Sequence, residues 1–304
     1  MGPAQAVARS HPTSDRHSSV GLALPAGKAS RLTHQAAPAY ILGDMVSSAM
    51  SIERIALVSD IHGNEIALRA VLADIRQLGV DRIACLGDVA ALGPKPSSVL
   101  DLVNEHCEVF ILGNHDEYMF APDLIGEHTT EPTVVGSVDA CRSELSSAEL
   151  SFIEGFERKH ELSLGAAGSL LLFHGSPSSN NVDLLAGTPD AELSEQLGAD
   201  RATVMAGGHT HIQMLRQHGG TLLVNPGSVG LAFERFVDGS APTLMPWAEY
   251  AIVEAAGPNV AVSLRRVALD LKALLVAARA WDAPLARYQV AQYERLLRAS
   301  GHSS

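Results

Sequence analysis

From about residue 53 onward, apolar runs of strand length alternate with stretches at helical spacing, and this limits the possible folds more than any other feature. Five short clusters of Asp, His, Asn and Gly each fall directly behind a strand-like run. The alternation predicts an α/β chain with βαβ units first and mixed sheet later. In such sheets, ligands bind beyond the strand ends. Residues 54–59, 82–86 and 108–112 read as the first three strands. Asn64 is an N-cap candidate, followed by Leu68, Val71, Leu72, Ile75 and Leu78 at helical spacing and by Gly79 as a stop. Ser97 or Ser98 is expected to cap a helix to about residue 104, and residues 137–156 read as two helical pieces with a cap near Ser147. Residues 169–173 and 203–206 read as short strands, 212–217 and 221–224 as a hairpin, and 249–253 and 260–267 as a strand pair. Helices are expected over 269–280 and about 284–299.

The clusters carry the chemistry. They are Asp60-Ile61-His62-Gly63-Asn64, the run from Gly87 and Asp88 to Gly93, Gly113-Asn114-His115-Asp116, Phe173-His174-Gly175, and Gly208-His209-Thr210-His211. Residues two apart on an extended segment point to the same side, so Asp60 with His62, and His209 with His211, can each chelate one cation. Asp88, Asn114 and His174 add two oxygen donors and a nitrogen. A thiolate-free mixture of oxygen and imidazole donors suits Mn, Fe, Co, Ni or Zn better than calcium or a structural zinc. Seven side chains exceed one tetrahedral ion and fit two if a carboxylate bridges, and paired metals clamp displacement at phosphorus. Taken singly, a histidine behind a strand is more commonly a hydrogen-bonded residue than a ligand, and Asn114 is open to reading as a turn residue. Five clusters in order shift that balance. His106, His128, His160, His218 and His302 lie in no such context and receive no role.

Charge and composition exclude several functions. The chain carries net −12, and residues 1–49 hold four basic and two acidic groups, leaving 18 basic and 32 acidic, net −14, in the rest. That field repels long nucleic acid. No apolar run reaches the ~20 residues of a membrane span. The three cysteines show no paired spacing, so a reducing, cytoplasmic setting is expected. Residues 1–49, rich in Ser, Ala, Pro and Gly, read as a disordered extension or a mis-assigned start, with Met50 a natural beginning of a single domain over 50–304.

The five clusters resemble, in the same order, the motifs of the calcineurin-like metallophosphoesterases: D-x-H, G-D-x(n)-G, G-N-H-D/E, a lone His and G-H-x-H. The likeness covers about residues 52–267. Stretches 60–64, 92–94, 174–177 and 225–228 most resemble the bacterial branch grouped with diadenosine tetraphosphatase and related phosphatases and phosphodiesterases. The resemblance implies a two-sheet β-sandwich flanked by helices in four layers. It implies two divalent transition-metal ions, manganese first, one on Asp60, His62 and His211 and one on Asn114, His174 and His209, with Asp88 bridging. It implies that a metal-bridging hydroxide attacks a small phosphate ester while His115 aids the leaving group. For Asp116 two roles stand level: orienting His115, or capping the following helix. Ala91 and Leu92 replace the Asp and Arg of the protein Ser/Thr phosphatase branch, which counts against a phosphoprotein phosphatase. Lys95, Arg142 and Arg235 are candidates for the missing phosphate-binding cation. Monoester and diester substrates both stay open, as does a non-catalytic metal-binding scaffold. Residues 120–136 and 177–192 are expected to wall the substrate.

Overall fold

The first strand, β1 (Ile52–Val58), buries both of its faces: Ile55 and Leu57 point one way, Ala56 and Val58 the other. A strand covered on both sides belongs to the middle of a layered structure. In this computed structural model, which describes residues 52–236 and 239–301, helices lie on one face of β1 and a second sheet on the other. The expectation for residues 1–49 lies outside the described residues.

After β1 the chain forms α1 (Glu65–Gln77), β2 (Arg82–Cys85), α2 (Pro96–His106) and β3 (Val109–Phe110). Strands β1, β2 and β3 are parallel neighbours, with Ile55 opposite Arg82 and Ala84 opposite Val109. Asn64 caps α1 as expected, its side chain accepting from the Ala67 N–H at 3.1 Å. Ala67, Leu68, Val71, Leu72 and Ile75 form the helix's buried stripe. Next come α3 (Asn114–Phe120), α4 (Ile125–His128), α5 (Pro132–Glu144) and α6 (Ser147–Glu154). The second sheet follows with β4 (Lys159–Ser163), β5 (Ser169–Phe173), α7 (Asp190–Leu197), β6 (Val204–Ala206), β7 (Met214–His218) and β8 (Thr221–Asn225). The chain then returns to the first sheet as β9 (Trp247–Ala256) and β10 (Asn259–Ala268), before α8 (Leu271–Ala280) and α9 (Ala286–Ala299).

Among the described residues there are two five-stranded sheets, ordered β10-β9-β1-β2-β3 and β4-β5-β6-β8-β7. Alternation along the strands sorts side chains into layers. Ile55, Leu57, Leu170, Leu172, Val204 and Ala206 fill the space between the sheets. Leu171, Phe173 and Met205, one residue out of step, face Leu193 and Leu197 of α7. The four-layer sandwich expected from the sequence is the architecture observed. The helices α8 and α9 pack against Leu231 and Leu244, which lie in the connection between β8 and β9.

Several local expectations differ from the structure. Pro96 opens α2, and neither Ser97 nor Ser98 caps it; proline fits the first helical turn because its missing N–H has no partner there anyway. The cap of α6 is Ser146 rather than Ser147, in a capping box with Glu149. The Gly113–Asp116 cluster opens a helix, α3, so Asn114 is its first residue and not a turn residue. Helix α5 begins within the stretch read as substrate wall.

Candidate metal centre

All five clusters lie at the carboxyl ends of parallel strands: β1, β2 and β3 in one sheet, β5 and β6 in the other. Asn225 ends β8, which is parallel to β6, so the 225–228 turn reaches the same edge. There Asn225 Nδ2 donates to the Gly208 carbonyl (2.6 Å), and Ser228 Oγ donates to the Asp60 carbonyl (2.7 Å). The turn thus braces the ligand loops.

The reasoning from extended geometry for Asp60 and His62 does not hold. Both residues sit in the left-handed region (φ 54 and 48), as do Asp88 (56), His209 (69) and His211 (58). Leu92 is the sixth described non-glycine residue with positive φ. The loops curl sharply, and the side chains converge by curvature rather than by strand alternation. Gly113 permits one close approach: a Cβ there would lie 2.1 Å from Asp88 Oδ1.

Asp60, His62, Asp88 and His211 bring one donor atom each within 4.8 Å of one another, and all four are buried. His62 Nδ1 lies 3.2 Å from the Ala91 carbonyl, and His211 Nδ1 lies 2.7 Å from the Leu231 carbonyl. A carbonyl only accepts, so each Nδ1 carries a proton, and in the neutral rings each Nε2 turns a lone pair inward. In that state the two Nε2 atoms face each other at 3.0 Å as acceptors. Asp60 Oδ1, buried and without a hydrogen-bond partner, lies 3.3 Å from His211 Nε2. Acceptors pressed together in this way call for a cation.

The same logic applies around Asn114. His174 Nδ1 is 2.6 Å from the Leu86 carbonyl, so Nδ1 carries a proton and Nε2 faces Asn114 Oδ1 at 3.2 Å and Asp88 Oδ2 at 3.5 Å, a lone pair there whenever the ring is neutral. His209 is turned the other way: Nε2 approaches Asp183 Oδ1 (3.4 Å), and Nδ1 faces Asn114 Oδ1 at 3.0 Å. Asn114 Nδ2 donates to Tyr118 Oη, which fixes its oxygen towards the two histidines. All seven expected ligands therefore meet, in two groups that flank Asp88.

Electrostatics agree. Asp60 and Asp88 are 0% and 1% exposed, and their ion-pair partners among the described residues are histidines alone. Burial pushes both carboxyls up, yet His211 and His174 beside Asp60, and His174 and His115 beside Asp88, hold both below the usual range. Burial opposes charge on His174 too, but Asp88 and Asp60 raise it to about 9. Burial, with a neighbouring imidazole, depresses His62 to about 4 and His209 to about 3. Two buried carboxylates without a lysine or arginine need an outside cation.

His115 sits at the rim of the cluster, its ring 5.4 Å from His62. It is 7% exposed, and burial depresses it to about 3. Of the two roles held open for Asp116, the one of orienting His115 is not formed, since His115 Nδ1 has no hydrogen-bond partner. Asp116 instead accepts from the backbone N–H groups of Asp88 (2.7 Å), Val89 (2.8 Å) and Gly113 (3.1 Å). It ties the β2 loop to the start of α3, and burial plus the Asp88 carboxylate push it up to about 7. Sequence reasoning passed over Asp183 beside His209 and His128 beside His115, because both lie outside any motif.

A domain model described as the calcineurin-like phosphoesterase superfamily domain matches residues 54–243. An uncharacterized protein of Methanocaldococcus jannaschii is 44% identical over 62 residues, covering 20% of this chain and 26% of that protein, so the chain spans about a quarter of the curated relative it matches. Among solved structures, a metallophosphoesterase from Sphaerobacter thermophilus superposes with TM-score 0.61 at 24% identity, over 80% of this chain and 98% of the other. A hypothetical protein from Pyrococcus horikoshii superposes with TM-score 0.59 at 15% identity, over 83% and 94%. These two share the fold. No helix among the described residues is long and apolar enough to cross a membrane. Because the domain match runs through every one of the five clusters, this chain belongs to the calcineurin-like phosphoesterase superfamily.

Proposed function

We propose that the chain hydrolyses small phosphate esters with two divalent transition-metal ions. Asp60, His62 and His211 would hold one, Asn114, His174 and His209 the other, with Asp88 between them. One observation carries this reading: inward-facing acceptors form two groups, and His174 Nε2 and His62 Nε2 approach Asp88 Oδ2 at 3.5 and 3.7 Å. When bound, such ions supply Lewis acidity towards phosphoryl oxygens and hydroxide near neutral pH. The chain's own groups do the rest. The Ala91, Leu231 and Leu86 carbonyls hold three imidazoles in the ligating tautomer, an arrangement that normally tightens metal sites. His115 stands at the rim, its ring 5.4 Å from that of His62, placed to give an N–H hydrogen bond to the leaving oxygen. Ala91 and Leu92 are buried where a phosphoprotein phosphatase of this superfamily would carry Asp and Arg, which favours small substrates. Mono- and diesters, cyclic nucleotides and dinucleoside polyphosphates all belong to that class, and a reducing cytoplasm suits the three free cysteines.

The test is a metal-stripped, full-length protein reloaded with single ions, manganese first, and offered an aryl monoester, an aryl diester, a cyclic nucleotide and a dinucleoside tetraphosphate. Metal-restored turnover with about two ions per chain, and a loss of about 10²–10⁴-fold in His115→Ala with metal retained, is the expected result. Protein that binds no metal would sink the proposal and favour the scaffold reading. Equal turnover by His115→Ala would remove its assigned role.

A further inference from the structure

A phosphoesterase of this kind needs a group from the protein to grip the phosphoryl oxygens that the metals do not. The arginine that does this in the protein phosphatase branch is Leu92 here, and the three cations considered as substitutes are placed elsewhere. Arg142 donates to the Met119 carbonyl at 2.8 Å. Lys95 lines a small gap with Ala277 and Tyr293 of the carboxyl-terminal helices. Among the described residues, no hydrogen bond, ion pair or ring contact joins Arg235 to the ligand cluster.

A side chain with no motif around it stands beside His115 and His209. His128 ends α4, an element held down by buried Ile125. Its ring centroid lies 6.0 Å from His115, at 84°, and 6.2 Å from His209. The ring of buried Tyr118 is 5.3 Å from His115 and 6.2 Å from His128, so it supports both. His128 is exposed while the ligands beneath it are buried, which puts it on the solvent side of the centre, where substrate must enter.

We propose that His128 binds substrate, its imidazole donating a hydrogen bond to a phosphoryl oxygen alongside His115. Two N–H···O bonds of roughly 2.9 Å converging on one phosphoryl group suit rings spaced as these are. The proposal rests on the phosphoesterase reading above. It adds to that reading the residue standing in for the absent arginine, and it makes α4 part of the substrate wall.

The experiment uses full-length, manganese-loaded protein and inorganic phosphate as the probe. Phosphate affinity is measured by titration calorimetry for wild type, His128→Ala and His128→Gln, with manganese per chain and Tm alongside. The Ala variant is expected to bind phosphate about tenfold more weakly, equivalent to about 1.4 kcal/mol. Gln, which keeps an N–H donor, is expected to recover part of that loss. Metal content and Tm stay at wild-type values, since His128 is exposed and is not among the ligands. Unchanged phosphate affinity in both variants overturns the proposal. So does a fall in manganese content, which would make His128 part of the metal site. Wild type that takes up manganese but binds no phosphate would refute the phosphoesterase reading itself, a failure distinct from that of His128 alone.

Discussion

Replacing Asp116 with Asn separates two accounts of the residue after His115. If Asp116 oriented His115, the variant would keep its stability and metal and lose only turnover. The structure gives a different expectation. The carboxylate serves three backbone donors, Oδ2 taking those of Asp88 and Gly113 and Oδ1 that of Val89. An amide offers one oxygen. In its better orientation it keeps the two Oδ2 bonds and turns an NH₂ group towards the Val89 N–H. The lost charge-assisted bond is worth about 1.5–3 kcal/mol and the stranded buried donor about 1–3 kcal/mol. The two overlap, giving about 2–4 kcal/mol in all. In the metal-free chain part of this is offset, because burial and the Asp88 carboxylate hold Asp116 at about 7 and a neutral amide relieves that repulsion. A bound cation neutralises Asp88 and removes the relief. Thermal unfolding of the manganese-loaded variant is therefore expected to show Tm lowered by about 5–15 °C. The drop should be smaller without metal, and metal affinity should fall because the loop that carries Asp88 has lost its tie through the Val89 N–H. Unchanged Tm and metal content with a reduced kcat would refute this reasoning and restore the orienting role.

Two further substitutions test the surroundings. Asp183→Asn weakens the group that meets His209 Nε2 at 3.4 Å, and metal affinity in a chelator competition is expected to drop about 10–100-fold; an unchanged competition curve would show that His209 is oriented without it. Asp74 joins α1 to β9 and β10 by accepting from Tyr250 Oη (2.6 Å) and Arg265 Nε (3.1 Å). Burial raises its carboxyl, but those two donors outweigh burial and hold it below 3.8. A depressed acid stabilises the fold above its unfolded value and loses that contribution as pH falls through its folded value. Asp74→Asn should therefore lower Tm at pH 7, and the gap to wild type should close on titration below 3.8; a gap constant with pH would show that the carboxylate charge is not involved.

Much of this molecule was legible because residue type and local spacing already state it. The stripe from Ala67 to Ile75 and the cap at Asn64 are local properties, and the sequence reading located them. Strand β4 was missed because it lies at a sheet edge with Leu162 its one buried side chain, so it has no apolar run to detect. Helix α7 was missed for a related reason: it buries Leu193 and Leu197 on one face and is otherwise polar. At the site, the seven proposed ligands were identifiable from motif order, whereas His128 and Asp183 reach it from segments with no pattern. The role of Asp116 was undecidable from spacing, since its three bonds include two to the loop after β2, 27 and 28 residues away.

The left-handed ligands show why the geometry itself could not be read. A left-handed non-glycine residue costs up to about 1–2 kcal/mol, less for Asp and His, which enter that region more readily than most side chains. Local preference alone does not select it at five of the proposed ligands together. It persists because the loops are bonded to one another: Asp60 N–H to the Gly87 carbonyl (2.9 Å), His62 N–H to Asp88 (3.0 Å), Gly208 N–H to His174 (2.8 Å) and Gly230 N–H to Asp60 (2.9 Å). Strain held in place by such long-range bonds is characteristic of functional sites. Each loop is therefore shaped by its neighbours, and the donors converge only once both sheets have formed. The ligand identities are local in the sequence, while the curl that aims them is a property of the assembled edge. This is also why a metal bound there stabilises the fold as a whole: its binding energy acts on loops drawn from both sheets at once.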